Sequence, residues 1–469
     1  MAGLRLGAMA MTHPVTDGVA GDAEGQGPAP DSANVSPECA VTDRRPLPRN
    51  RLFPRSLKWN VLCTFLANFV RGACQWGLLI VLAKLGNAEV LGQFALGLAV
   101  CAPVFLLADL QLRVVQVTDA KDDFHFGHYL GLRLLTTPLA LLVALGLAGV
   151  LGYRWDTGLV IGAIALAKMS ESLSDCIHGA MQKHERLDLV AVSTITRNLG
   201  SLAVFIGVFH LSGLVSLAAL SQALVSILVF LAYDCPRGAS LLGLKAGIWV
   251  PRLEWGRLSK LAGLALPLGI VCMIISINAN LPRYLLERSL GEAAVGIFAA
   301  LSQPTLAGGM VMAALGHTFL PRMAKSYATD NLSYLTGLIL RLVGLGALLG
   351  GVMLAVALGW GREILAWFYR PEYAEHQGTF VWLMVAGAIG YVSSGFGYGQ
   401  NSTREYYRYL AFYAVSAGFG AILGILLIPG FGLKGAAWTV CSTNLLSCLF
   451  LVWLFLSLKQ KGDLRASRI

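Results

Sequence analysis

The stretch Leu85-Gly86-Asn87-Ala88-Glu89-Val90-Leu91-Gly92-Gln93-Phe94-Ala95 recurs, one residue shorter, as Leu290-Gly291-Glu292-Ala293-Ala294-Val295-Gly296-Ile297-Phe298-Ala299. A second pair follows in the same order: Gly213-Leu214-Val215-Ser216-Leu217-Ala218 and Gly432-Leu433-Lys434-Gly435-Ala436-Ala437. Two short matches in matching order point to an internal duplication. What is duplicated depends on the surroundings, and these are long apolar blocks such as Leu139–Leu151 and Leu338–Leu358. Of 469 residues, 56% are apolar and only 13% charged, with a mean hydropathy of +0.65. Soluble domains carry about 25% charged residues, so an ordinary cytosolic enzyme and a nucleic-acid binder are excluded. The chain reads as an all-α polytopic membrane protein.

Twelve blocks approach the ~20 residues that cross hydrocarbon: about 58–83, 91–110, 129–151, 158–180, 188–210, 213–233, 262–282, 293–315, 334–358, 378–400, 407–428 and 433–457. The first motif joins spans one and two, then seven and eight. The second opens spans six and twelve. Six spans therefore follow six with the same orientation, as two parallel six-helix lobes around a central polar cavity would. The expected organisation is a disordered tail at 1–55, a first lobe at 56–235, a linker with an interfacial segment at 236–260, a second lobe at 261–458 and a basic tail at 459–469.

The net charge of +10 lies mostly in the connections. One side collects Arg44 to Lys58, Arg113, Lys121, Lys183, Arg186, Arg237 to Lys260, Arg322, Lys325, Arg404, Arg408 and Lys459 to Arg468. Such a bias marks the cytoplasmic side, so both termini are placed in the cytoplasm and the chain in a bacterial inner membrane. The Gly-, Ala-, Pro- and Ser-rich start cannot bury enough apolar surface to offset the entropy of ordering. Pro251–Gly263, with Arg252, Arg257 and Lys260, reads as a basic amphipathic segment on the membrane surface. Arg362–Tyr373 reads as an aromatic interfacial helix on the opposite face. The nine cysteines form no CxxC and no Cys/His cluster, and read as small buried hydrophobes rather than metal ligands or disulfides.

With these elements in view, the chain resembles a known family. Leu82–Val100, its partner Leu286–Leu301, the segment Phe368-Tyr369-Arg370-Pro371-Glu372-Tyr373-Ala374, the ending Ile428-Pro429-Gly430-Phe431-Gly432-Leu433-Lys434-Gly435-Ala436-Ala437 and His317-Thr318-Phe319-Leu320-Pro321-Arg322 look like those of Wzx-type oligosaccharide flippases. These belong to the multidrug/oligosaccharidyl-lipid/polysaccharide exporter superfamily. The resemblance covers roughly residues 56–458 and leaves out the long N-terminal extension. It implies two lobes, alternating access, and a lipid-linked sugar carried on undecaprenyl pyrophosphate from the cytoplasmic to the outer leaflet. Its implied partners are that cargo, membrane lipids and polysaccharide polymerase machinery; it implies no cofactor and no enzymatic activity.

Moving sugar hydroxyls and a diphosphate through hydrocarbon strips polar groups of water, at about 2–7 kcal/mol for each group left without a partner. Ionisable residues inside spans are costly unless they face a cavity or a partner. In span four, Lys168, Glu171, Asp175, His178 and Gln182 recur at three- and four-residue intervals on one helical face. They read either as cavity lining, with Glu171 or Asp175 coupling a proton, or as a Lys168–Glu171 pair above a wet helix end. Arg197 in span five suits a diphosphate, because a guanidinium fork matches phosphate oxygens. The competing reading pairs it with Glu171 or Asp175. Arg71 lies too deep in span one to reach either surface easily and is the first choice for a cargo-facing cation. Arg133 and Arg341 read as snorkelling residues, and Arg283 and Arg288 as anchors. Asn278 and Asn280, with Ser276, suit sugar hydroxyls or helix–helix bonds. Tyr391 and Tyr398, spaced with Ser394 and Asn401, suit carbohydrate faces or ordinary packing.

No GxxxxGK[ST] and no GxSxG occurs, so neither a P-loop nor a nucleophile elbow is present. The favoured function is a flippase for lipid-linked oligosaccharide in surface or exopolysaccharide assembly. The alternatives are a drug/cation antiporter of the same superfamily, a flippase for the peptidoglycan precursor, and a membrane polymerase or glycosyltransferase. The last would need a catalytic loop longer than any here.

Overall fold

A computed structural model describes residues 57–119, 122–242, 251–329, 331–401 and 407–466. The expected tail at 1–55 and much of the expected linker lie outside the described residues. The elements are α1 (Leu57–Leu85), α2 (Ala88–Asp109), α3 (Leu112–Thr118), α4 (Phe126–Val150), α5 (Trp155–Lys183), α6 (Leu187–Ser212), α7 (Val215–Val229), a π-turn (Phe230–Asp234), α8 (Cys235–Leu242), α9 (Trp255–Leu290), α10 (Glu292–Ala328), α11 (Leu332–Phe368), α12 (Pro371–Ala374), α13 (Gln377–Asn401) and α14 (Tyr407–Ala466). Among the described residues there is no strand.

Among the described residues, ten helical stretches are long and apolar enough to cross a membrane. The last holds two helices, because Gly432 adopts φ 56°, ψ −131° inside α14, a conformation that only glycine takes at low cost. α5 stands outside the ten because its charged stripe lowers its hydropathy. Dividing α14 and adding α5 gives a number of long helices compatible with the twelve expected spans.

The duplication is visible in the pairings. α1 packs on α6, α2 on α4 and α5, α4 on α5, and α5 on α7. In the second half α9 packs on α14, α10 on α11 and α13, α11 on α13, and α13 on α14. Each pairing of the first set has its counterpart in the second. The glycines that open the second motif, Gly213 and Gly432, both have positive φ, 67° and 56°.

One break has no glycine to announce it. Leu110 and Gln111 are both left-handed, with φ 49° and 50°, and separate α2 from α3. Such a conformation costs about 1–3 kcal/mol per non-glycine residue. Burial of Leu110 and Leu112 against Leu258, Leu261 and Ala265 of α9 offsets it. Leu258 and Leu261, within Pro251–Gly263, share in that packing. From Trp255 onward this stretch is the start of α9; Leu258 and Leu261 are buried against protein, while Leu253 and Trp255 stay exposed.

The halves touch at both ends of the bundle. At the basic end, the Arg252 amide donates to the Gly127 carbonyl at 2.9 Å. At the other end, Gly92 of α2 and Gly296 of α10 lie against each other's backbone. There Trp76 Nε1 donates to the Tyr369 hydroxyl at 3.1 Å, and that hydroxyl donates to the Ala300 carbonyl at 3.0 Å. Trp360, with φ −128°, sets Tyr369 and its neighbours apart from the rest of α11. The aromatic segment thus joins the two halves instead of resting only on the membrane.

Candidate functional site

α1, α2, α5, α6 and α7 enclose a polar cavity in the first half, with Arg71, Gln75, Lys168, Glu171, Asn198 and Gln222 in its wall. The periodicity of α5 places Lys168 and Glu171 one turn apart, and they pair at 2.7 Å. Arg71 makes no hydrogen bond or ion pair among the described residues, while Glu171 lies within electrostatic reach of it. Two lining cations therefore share one carboxylate, and Arg197 lies within electrostatic reach of it from outside the lining. The volume is about 80 Å³, below the roughly 300–1,000 Å³ of small-molecule sites. The helices must part before a cargo headgroup can enter.

Arg197 is buried outside this lining. Its Nη2 donates to Ser174 Oγ and to Asp234 Oδ2, each at 2.6 Å. Asp234 is fully buried and also meets His178 at 3.3 Å. It ends the π-turn, whose extra residue rotates it toward α5 and α6. The sequence reading considered Glu171 and Asp175 as partners for Arg197; the structure supplies Asp234, near the end of span six.

Asp175 belongs to a separate network at the basic end, where it accepts from Arg113 at 3.0 Å and Arg133 at 3.3 Å. Arg133 also pairs with Asp109, to which Ser172 donates. Arg133 is 0% exposed, so the snorkelling reading does not hold for it: two carboxylates pair with its Nη atoms inside the protein. Asp109 and Arg113 lie on either side of the break at Leu110 and Gln111, and both reach α5, through Ser172 and through Asp175 and Gln182.

In the second half, Asn278 lines a larger cavity between α9, α13 and α14, and donates to Ser416 at 3.4 Å. Asn280 is buried on another face of α9, bonded to the Ser276 carbonyl at 2.9 Å and accepting from Arg283 at 2.6 Å. Arg283 thus points inward, with no carboxylate at salt-bridge distance among the described residues. The Tyr391 hydroxyl donates to the Thr305 carbonyl at 2.8 Å, and the Tyr398 hydroxyl to the Ala313 carbonyl at 3.4 Å. Both rings fill the space over glycines of α10, Gly308 and Gly316. The structure therefore gathers Arg71, Lys168 and Glu171 in one cavity wall and places Arg197, Asp175, Asn280, Tyr391 and Tyr398 outside it. Among the described residues, no cluster of His, Cys, Asp or Glu is placed to hold a metal ion, and the eight described cysteines are unpaired.

This arrangement of helices is that of a known class of membrane transporters. The chain superposes on the lipid II flippase MurJ in an inward closed conformation with a TM-score of 0.66, at 12% identity, over 86% of this chain and 91% of that one. An inward-facing multidrug resistance MATE family transporter of the MOP superfamily gives 0.54, at 14% identity, over 84% and 95%. At these identities the likeness is one of fold, and it marks this chain as a multi-pass membrane protein. In sequence, the chain is similar to the capsular polysaccharide biosynthesis protein CapF of Staphylococcus aureus, 25% identical over 378 residues, which are 80% of this chain and 93% of that protein. No family model matches. Relative and folds agree with the resemblance carried by the motifs.

Proposed function

We infer that this protein is a flippase that moves a lipid-linked oligosaccharide, carried on undecaprenyl pyrophosphate, from the cytoplasmic to the outer leaflet of the inner membrane. The observation that carries this reading is the cavity in which Arg71, with no hydrogen bond or ion pair among the described residues, stands beside the Lys168–Glu171 pair. A cavity with excess cationic charge favours a diphosphate over a cationic drug. The similarity to a capsular polysaccharide biosynthesis protein supports the sugar-bearing cargo.

Arg71 is the first contact for the diphosphate, with Lys168 released from Glu171 as the second. Both termini lie in the cytoplasm, a placement that the arginine and lysine bias supports, and the polymer-forming machinery takes the cargo on the far side. The protein transports and makes no bond. The halves alternate between access from either leaflet, parting at one end while the other stays closed.

Extraction of undecaprenyl-pyrophosphate species from cells lacking the protein tests this. Accumulation of one complete oligosaccharide, with loss of surface polymer, is the expected result, and Arg71→Ala should reproduce it. An unchanged lipid pool with new sensitivity to cationic drugs would instead establish the antiporter.

A further inference from the structure

The second half holds a cavity of about 320 Å³ between α9, α13 and α14. These helices occupy the places that α1, α5, α6 and α7 occupy in the first half, so the two cavities are counterparts. Their chemistry differs. Asn278, Ser393, Ser394, Thr443, Asn444 and Ser447 supply polar lining, Phe412 and Tyr413 supply rings, and no described lining residue is charged.

The bonding of these groups is incomplete. Ser393 is 7% exposed, and its hydroxyl has no hydrogen-bond partner among the described residues. Ser394, Thr443 and Ser447 donate to carbonyls of their own helices at 2.8–3.0 Å, which leaves their oxygens free to accept. Asn444 donates to the Ala386 carbonyl at 2.8 Å, and its oxygen accepts no bond among the described residues. These groups with bonding capacity left over face one space large enough for a small-molecule ligand, where a bound molecule can use it.

Three kinds of cargo chemistry can be weighed against this wall. A phosphate would lack a cation. A lipid chain would leave the hydroxyls and amides unsatisfied. An uncharged polyhydroxyl ring both donates and accepts, and its C–H face packs on an aromatic ring. We propose that this cavity takes an uncharged glycosyl unit of the cargo, so that the halves divide recognition: diphosphate beside Arg71, sugar between α9, α13 and α14. The assignment rests on the flippase reading.

The test compares two lipids on the full-length protein in nanodiscs. One is bare undecaprenyl pyrophosphate; the other is the lipid-linked oligosaccharide extracted from cells lacking this protein. Wild type should bind the sugar-bearing lipid at least tenfold more tightly. Ser393→Val and Asn444→Leu should each remove most of that difference while leaving the bare lipid's affinity unchanged. Ser393→Thr, which keeps the hydroxyl, should retain it. Arg71→Ala should weaken both lipids together. Equal wild-type affinity for the two lipids, or an equal loss of both in the Ser393 and Asn444 variants, overturns the sugar site and leaves the flippase standing. Wild-type binding to neither lipid overturns both readings.

Discussion

Gly92 and Gly296 hold α2 and α10 backbone to backbone: a Cβ on Gly92 would overlap the Glu292 carbonyl, and one on Gly296 the Ala88 carbonyl. Each glycine comes from one copy of the repeated motif, so the duplication meets itself at the junction of the halves. Backbone atoms cannot swing aside as a flexible side chain does. Gly92→Ala should therefore destabilise the protein by about 1–3 kcal/mol, the usual range for overpacking, and reduce surface polymer. Gly309→Ala, where a Cβ meets nothing within 4 Å, is the control. Equal melting temperatures for the two variants in detergent would refute a tight crossing.

Arg197 and Asp234 make the most deeply buried ion pair near the cavity. Removing one partner of such a pair leaves a stranded charge and costs about 3–5 kcal/mol. Arg197→Met should lower the melting temperature sharply, and adding Asp234→Leu should restore much of it. Titration of the double variant with undecaprenyl pyrophosphate separates the roles of Arg197. Unchanged affinity means a structural pair; lost affinity in a stable protein means that Arg197 also meets the cargo.

Glu171 and Asp175 were equivalent candidates for proton coupling by sequence, and their surroundings now differ. Glu171 lines the cavity with one lysine as partner, whereas Asp175 is held by two arginines. Glu171→Gln should flatten the pH dependence of flipping in proteoliposomes without much loss of stability. Asp175→Asn should lower the melting temperature and leave the shape of the pH profile alone. The reverse pattern would move the coupling role to Asp175.

Asp119, in the connection after α3, titrates below its ordinary value of 3.8. Burial alone would raise it, but the Phe124 and Asp123 amides, the Tyr129 hydroxyl and Lys183 together outweigh burial. A carboxyl depressed in the folded state stabilises it above the unfolded value, and that contribution fades as pH falls through the lower folded value. Protease cleavage at 122–125, where the Asp119 carboxylate holds the Asp123 and Phe124 amides, should therefore stay slow from neutral pH to about the ordinary carboxylate range and rise only in stronger acid. Asp119→Asn should be cleaved faster at neutral pH, with little further change on acidification. Identical cleavage of both proteins at neutral pH would rule out this role.

Much of this molecule was legible in one dimension, because apolar blocks, charge bias and repeated motifs are local properties that hydrocarbon reads directly. The long helices fall where hydropathy put them, and the periodicity of Lys168 and Glu171 placed both on one face of α5. Arg71 was legible as a deep cation because depth follows from counting residues within a span.

Partnership was not legible, since it depends on which helices become neighbours. Asp234 found Arg197 through a π-turn, and Asp109 found Arg133 beside two left-handed residues, Leu110 and Gln111, that no glycine or proline announced. Tyr391 and Tyr398 share the spacing of a sugar platform, yet their hydroxyls bond to carbonyls of α10. Ser393 and Asn444 belong to different helices and carry no periodic signal, so only packing brings them to one wall. Sequence determined that this chain lives in a membrane as a duplicated helical bundle; tertiary structure decided which buried charges are already paired and which side chains remain free to meet a ligand. A charge's cost in a low-dielectric interior is settled by neighbours distant along the chain.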